Sequence, residues 1–313
     1  MTGHQQQPFK GIVLKLVQVF LVVLMLTIIK WIDGLPVTEL MFFRSFFAFL
    51  PLLIFVVIRG NLKSAIHTRR PLGHFLRTLL SLATTGLTFV AVRALPLPEA
   101  VTLQYTQPMF VVALSAVLLR EPVRAFRWAG VAVGFCGALI ITYPKLTLLT
   151  EGGADVSQAE LVGTVAALAA AAAYALNVLT IGQLVKTESS ITISLWLGIY
   201  CSVLLLLTAP FGWVMPTLEQ FALLVLVGLV GGALLIALSE SLRAAPASTT
   251  APFEYASLLY SSVLGYAVFG DVIGANTLVG GVLLICAGIA ILSRERHLKR
   301  NLTANSVNTP PEA

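Results

Sequence analysis

Charge is scarce inside the long apolar stretches of this sequence, so the few ionisable side chains placed there speak first about chemistry. Five stand out: Lys15, Arg44, Arg77, Glu240 and Glu254. A charged group at the centre of a membrane helix costs about 2.5–3.5 kcal/mol on insertion scales, which marks each as a site of pairing, proton transfer or ligand contact. Lys15 lies about one turn into its stretch, near enough to the end for its ammonium to reach an interface. Glu240 stands three residues before Arg243, the spacing of a local helical pair. Arg77 and Glu254 each sit about six positions into stretches that begin on the same face, a depth of ~9 Å at 1.5 Å per residue. Equal depth makes an Arg77–Glu254 ion pair the expectation, either as a permanent bridge or as one that Glu254 exchanges for a proton or a cationic substrate. Arg44 has no carboxylate at its depth, which leaves backbone carbonyls, lipid phosphate or an anionic substrate as its partners.

Two stretches, 97–119 and 248–269, carry the uncharged polar content expected of a cavity wall. Thr102, Gln104, Tyr105 and Gln107 in one correspond to Pro252, Glu254, Tyr255 and Ser257 in the other. Prolines at 98, 108, 246 and 252 remove backbone hydrogen bonds, which hydrocarbon penalises and a buried or water-lined site tolerates. Tyr105 and Tyr255 are placed to stack on a planar substrate or simply to pack. Tyr174 and Asn177 add a third polar patch. Catalytic and metal chemistry lack their residues. The four histidines are scattered, no HExxH, DDxxD, GxSxG or P-loop occurs, and Cys136, Cys201 and Cys286 are spaced too far apart for a metal site or a disulfide framework. No catalytic residue, metal or cofactor is therefore expected.

The elements that must position these residues are membrane helices. Apolar residues make up 58% of the 313 and charged residues 11%, with a mean hydropathy of +0.92; a soluble domain carries roughly 25% charged residues. Stretches of ~20 apolar residues are long enough to span a bilayer, and ten are read: 11–31, 38–58, 72–92, 97–119, 125–143, 160–182, 190–210, 219–242, 248–269 and 273–293. The net charge of +6 sits in clusters between them, as topology signals rather than a nucleic-acid surface. With the N-terminus inside, 14 of the 20 basic residues fall on inner loops and tails and only Lys30, Arg93 and Lys145 on outer loops. Both termini are thus expected in the cytoplasm, with lipid as the principal surroundings.

A shift of 150 residues aligns 93–142 with 243–292 without a gap. Arg93-Ala94-x-Pro96 meets Arg243-Ala244-x-Pro246, Tyr105 meets Tyr255, Glu121 meets Asp271, and Gly130 meets Gly280. Five spans per half, an odd number, send the second copy into the membrane from the opposite side, a 5 + 5 inverted repeat. The expected organisation is a tail over 1–10, a first repeat over 11–143, an external linker over 144–159, a second repeat over 160–293 and a basic, then polar, tail over 294–313. Inverted repeats give secondary transporters their inward- and outward-open arrangements, with substrate held near the midplane.

The segments RALPLPEAVTLQYTQPMFVVALSAVLLREPVRAFRWAGVAVGFCGALII and LRAAPASTTAPFEYASLLYSSVLGYAVFGDVIGANTLVGGVLLICAGIAIL resemble the EamA domain of the drug/metabolite transporter superfamily. The second copy departs from the pattern in having Leu258 at the proline position of 108 and Asp271 at the glutamate position of 121. The resemblance implies an all-α bundle of ten helices in a bacterial inner membrane, around a central cavity, moving amino acids, nucleotide-like metabolites, vitamins or drugs. The Phe-Phe-Arg44-Ser and Leu76-Arg77-Thr78 stretches are similar to the branch containing S-adenosylmethionine and riboflavin uptake carriers. Uptake of such a compound by alternating access, with proton coupling through Glu254, is the expectation. Export of amino acids, metabolites or drugs is the alternative, and a lipid flippase or membrane-embedded enzyme is the alternative from another class. The small-residue pairs Gly130/Gly134 and Gly228/Gly232 permit close helix packing and do not fix an oligomeric state.

Overall fold

The computed structural model describes residues 8–58, 66–118, 125–150, 154–245 and 247–290. Among them the regular structure is helical throughout. Helices α1 (Pro8–Trp31), α2 (Val37–Ile58) and α3 (Pro71–Ala94) are followed by α4 (Leu97–Gln104) and α5 (Gln107–Leu118). Then come α6 (Ala125–Thr150), α7 (Ala154–Leu184), α8 (Ser190–Leu206), α9 (Leu218–Ala244), α10 (Ala256–Leu264) and α11 (Ala275–Ala290).

Local chemistry sets the boundaries. Gly34, at φ +77°, supplies the left-handed turn between α1 and α2. Pro71 opens α3 at a position where its missing N–H costs nothing. A capping box of Thr217 and Gln220 starts α9, and Ser189 caps α8 by accepting the Thr192 N–H. The stretch expected as a linker over 144–159 is helical at both ends, because α6 runs on to Thr150 and α7 starts at Ala154.

The two proline-bearing stretches are not continuous helices. Pro108 has no N–H to offer the Gln104 carbonyl, and α4 ends at Gln104. Pro252 likewise removes the bond to residue 248, and the chain there is a 3₁₀ segment over Ala251–Tyr255 before α10 begins. The same break thus arises at Tyr105 and at Tyr255 through prolines at different positions. Beyond α10 a π-helical turn over Gly265–Phe269 closes on Gly270 at φ +70°.

Among the described residues, five helical stretches are long and apolar enough to cross a membrane: Phe9–Trp31, Pro71–Ala94, Leu97–Leu118, Gln158–Leu184 and Leu218–Ala244. Trp128–Tyr143, Ile191–Leu206 and Ala275–Ala290 are shorter apolar helices. Large apolar side chains such as Leu72, Leu139, Leu218 and Val282 face outward, as lipid-facing residues do. Inside, α1 packs along α9 and along the 247–264 segment, while α3 packs chiefly along α7. Glycines set the closest approaches. Gly137 and Gly280 bring α6 and α11 so near that an added Cβ at Gly280 would lie 2.5 Å from the Gly137 carbonyl oxygen. Gly11 abuts Ala245, and the Ser241 hydroxyl donates to the Gly11 carbonyl, tying the start of α1 to the end of α9.

Candidate functional site

A small cavity of about 80 Å³ lies between α1, the α4–α5 break and the start of α10. Helix α1 presents Gln18, Val19, Val22, Val23 and Leu26, the α4–α5 segment Val101, Gln104, Tyr105 and Gln107, and the 3₁₀ break Glu254 with Ser257 just beyond it. Because helical positions three and four apart share a face, Lys15, Gln18, Val19, Val22, Val23 and Leu26 fall along one side of α1. The cavity is therefore charged at one end and apolar at the other.

The charge is an ion pair between Lys15 Nζ and Glu254 Oε2, 2.7 Å apart. Its members differ in setting: the lysine side chain is 6% exposed and the carboxylate 57%. Lys15 thus does not reach out to an interface. Nor does Arg77 pair with Glu254, since its Nη1 donates to the Ile193 carbonyl at 2.8 Å. Shared depth was not enough for a pair, because α3 faces α7 and α8 while α1 packs beside the 251–255 segment. Arg44 Nε turns to the thioether of Met25 at 3.3 Å, a weak acceptor. Glu240 holds Arg243 in the local pair its spacing implied.

The two tyrosines expected to correspond meet. Their rings stand edge to face with centroids 5.1 Å apart. The Tyr105 hydroxyl reaches the Tyr255 carbonyl at 3.3 Å and shares a 2.7 Å hydrogen bond with Ser257 Oγ, which in turn donates to the Glu254 carbonyl at 2.7 Å. These bonds tie the Tyr105 side chain to the backbone of the 3₁₀ break. Gln104, Tyr105, Gln107, Glu254 and Ser257 line the cavity, whereas Tyr255 backs Tyr105 and its hydroxyl presses on Gly288. Thr102 is fully buried behind the wall, donating to the Pro98 carbonyl at 2.7 Å. Tyr174 and Asn177 stand on α7 outside this lining, the Asn177 Oδ1 being buried without a hydrogen-bond partner.

Gln18 is the polar lining residue that sequence reasoning missed, along with the apolar Val19, Val22, Val23, Leu26 and Val101. It is 6% exposed, and its Oε1 is buried with no hydrogen-bond partner. Its position one turn after Lys15, in a span otherwise poor in polar residues, was the available signal.

At the far end of α1 a second ion pair closes the bundle. Lys30 Nζ meets Asp271 Oδ2 at 2.7 Å, donates to the Leu95 carbonyl at 3.0 Å and lies 4.6 Å over the Phe269 ring. The same Asp271 oxygen accepts the Leu97 N–H at 2.7 Å at the start of α4. Arg93 adds bonds to the Leu35 and Ile32 carbonyls at 2.8 and 2.5 Å. No group of three or more potential metal ligands occurs among the described residues.

Comparison with known proteins supplies the context. The sequence profile of the EamA-like transporter family matches residues 9–143 and 161–294. The chain is 30% identical over 259 residues to the S-adenosylmethionine uptake transporter of Rickettsia bellii, covering 82% of this chain and 84% of that one. It is 28% identical to the riboflavin transporter of Rhizobium johnstonii (85% and 84% covered). It is also 28% identical to the pseudopaline exporter CntI of Pseudomonas aeruginosa (82% and 86% covered). A solved crystal structure superposes with a TM-score of 0.56 at 18% identity, over 90% of this chain and 95% of its own, a likeness of fold. The family match and the apolar helices place the chain among multi-pass proteins of the plasma membrane, and its relatives are named as transporters rather than enzymes.

Proposed function

Because this chain belongs to the EamA-like transporter family, we propose that it is a secondary carrier that takes up a positively charged, nucleotide-like metabolite such as S-adenosylmethionine by alternating access. The observation that carries the reading is Glu254: a carboxylate more than half exposed that lines the cavity, on a broken helix, held by a buried lysine. Such a group recognises a cation. The tyrosine pair and the apolar face of Val22, Val23, Leu26 and Val101 suit a ring system beside it. The S-adenosylmethionine uptake relatives support the same class, and the exposed carboxylate favours it over neutral riboflavin. At about 80 Å³ the cavity is below the roughly 300–1,000 Å³ of small-molecule sites, so binding requires the surrounding helices to part.

The same reading includes a 5 + 5 inverted repeat, 11–143 and 160–293, with both termini cytoplasmic. Its supports are the 150-residue correspondence, the two separate profile matches and the meeting of Tyr105 with Tyr255. The end closed by Lys30 and Asp271 is then the outer one. Proton coupling through Glu254 requires its bond to Lys15 to part before the carboxylate takes up a proton. Export is the second reading, favoured by the likeness to the pseudopaline exporter.

The test is flux in protein-only vesicles. Labelled S-adenosylmethionine is expected to enter vesicles carrying the wild type saturably, and Glu254→Gln is expected to lower its apparent affinity by at least about tenfold, as loss of a charge-assisted contact of ~1.5–3 kcal/mol implies. A Glu254→Gln carrier that concentrates the compound with unchanged pH dependence removes proton coupling. Saturable flux only of amino acids or drugs, and only outward in cells, moves the reading to an exporter. Lipid scrambling without flux of any water-soluble compound replaces transport with flipping.

A further inference from the structure

Two details of the cavity remain unused by substrate recognition alone. A lysine occupies the carboxylate that a cationic substrate would need, and one turn along the same helix face a buried amide oxygen has no partner. The Lys15 side chain is 6% exposed and ends on Glu254 Oε2 at 2.7 Å. The Gln18 Oε1 is buried, unbonded and part of the cavity wall. Positions i and i+3 on a helix are neighbours, and helical side chains lean toward the N-terminus, which carries the Gln18 amide toward the level of Lys15.

We propose that Lys15 is a tethered counter-cation with two resting places: it neutralises Glu254 while the carrier is empty, and it moves to the Gln18 carbonyl when the positive group of a substrate takes Glu254. Glu254 is 57% exposed here, but passage between the inward- and outward-open states closes the cavity around it, and there a carboxylate without its partner is expensive. The lysine removes that penalty from the empty carrier's passage between inward- and outward-open states, so the protein returns without cargo and performs net uptake rather than obligatory exchange. Gln18 supplies the acceptor that the displaced ammonium needs.

The inference rests on the alternating-access reading, and its test separates the two. Cys136, Cys201 and Cys286 are replaced by serine, Val101, which lines the cavity and is 4% exposed here, is replaced by cysteine, and the full chain is placed in vesicles without substrate. Labelling by an impermeant maleimide, added from the face bearing Lys30 and Asp271, then reports visits of the empty carrier to the outward-open state. With Lys15 in place, labelling is expected. Lys15→Met should slow it at least about tenfold, because Glu254 is left unpaired. The Lys15→Met/Glu254→Gln double variant, again neutral, should recover the original rate, as should Lys15→Arg alone. A merely structural lysine predicts the reverse: the double variant as slow as, or slower than, the single. That outcome, or a Lys15→Met carrier labelled at the full rate, overturns the counter-cation role. Adding S-adenosylmethionine to Lys15→Met should restore labelling. If the double variant recovers and S-adenosylmethionine does nothing, the counter-cation stands and that substrate is wrong. If the parent protein is never labelled, alternating access and the inference fall together.

Discussion

Glu188 joins the chain after α7 to the start of α3: its Oε1 accepts the Thr68 hydroxyl at 2.9 Å and the Arg69 N–H at 3.0 Å. Burial pushes this carboxyl up, but the Arg69 N–H, the Thr68 hydroxyl and the nearby His74 together hold it below the ordinary carboxylate range. A depressed folded-state value means that the charged form is favoured by folding, so the contribution is complete at neutral pH and is lost as pH falls through that lowered value. Glu188→Gln is therefore expected to lower the melting temperature modestly at pH 7, with the gap to wild type closing in mildly acidic detergent solution below about pH 4. A gap of constant size across that range would show that the charge is not what matters. The same scale holds the cavity's charge, where Glu254 pairs with Lys15 on α1 while Arg77 on α3 bonds the Ile193 carbonyl.

Elements in this bundle are fitted by what is missing from them. The α4–α5 junction and the 3₁₀ segment before α10 lack the backbone bonds that Pro108 and Pro252 cannot make, and they meet beside the cavity through Tyr105, Tyr255 and Ser257. Irregular backbone in a membrane is tolerated where protein or water lines it, and these two breaks are such a place. Away from the cavity, α6 and α11 touch backbone to backbone at Gly137 and Gly280. A methyl at Gly280 would meet a carbonyl oxygen and the Ile141 side chain, and no rotamer moves the carbonyl away. Gly280→Ala is accordingly expected to cost about 1–3 kcal/mol, the range of core overpacking, measured as a lower midpoint of thermal unfolding. Gly182, which has open space around its missing side chain, provides the control: Gly182→Ala should leave the midpoint unchanged or raise it.

For the whole molecule, the end held by Lys30, Asp271, Arg93 and the start of α4 is tied by several bonds, while the Glu254 end of the cavity leaves its carboxylate half open. In the proposed orientation, which rests on the positive-inside bias, this closed end is the outer one. An epitope added to either terminus should then be reached by antibody only after the inner membrane of intact cells is permeabilised, whereas a cysteine at Met215, 93% exposed in the connection between α8 and α9, should react with an impermeant thiol reagent from outside. The opposite pattern would invert the topology and make the Lys30–Asp271 pair an inner closure.

Much of this was legible in the chain itself. Apolar stretches of bilayer length, the basic residues between them and the recurrence of Arg-Ala-x-Pro and tyrosine after 150 residues point to a membrane bundle of helices, because a continuous apolar stretch of ~20 residues satisfies its backbone hydrogen bonds in hydrocarbon as a helix, whereas a barrel strand is about half that length. The prolines likewise marked where helices break, since a missing N–H acts locally. Lateral neighbours were not legible. Depth along a helix follows from counting residues, and it gave Arg77 and Glu254 the same level. Which helices stand side by side depends on packing across the bundle, on contacts such as Gly11 against Ala245 and Gly137 against Gly280. That packing set α1 beside the 251–255 segment and α3 against α7, and so gave Glu254 to Lys15, made Gln18 part of the cavity, and left Thr102 behind its wall.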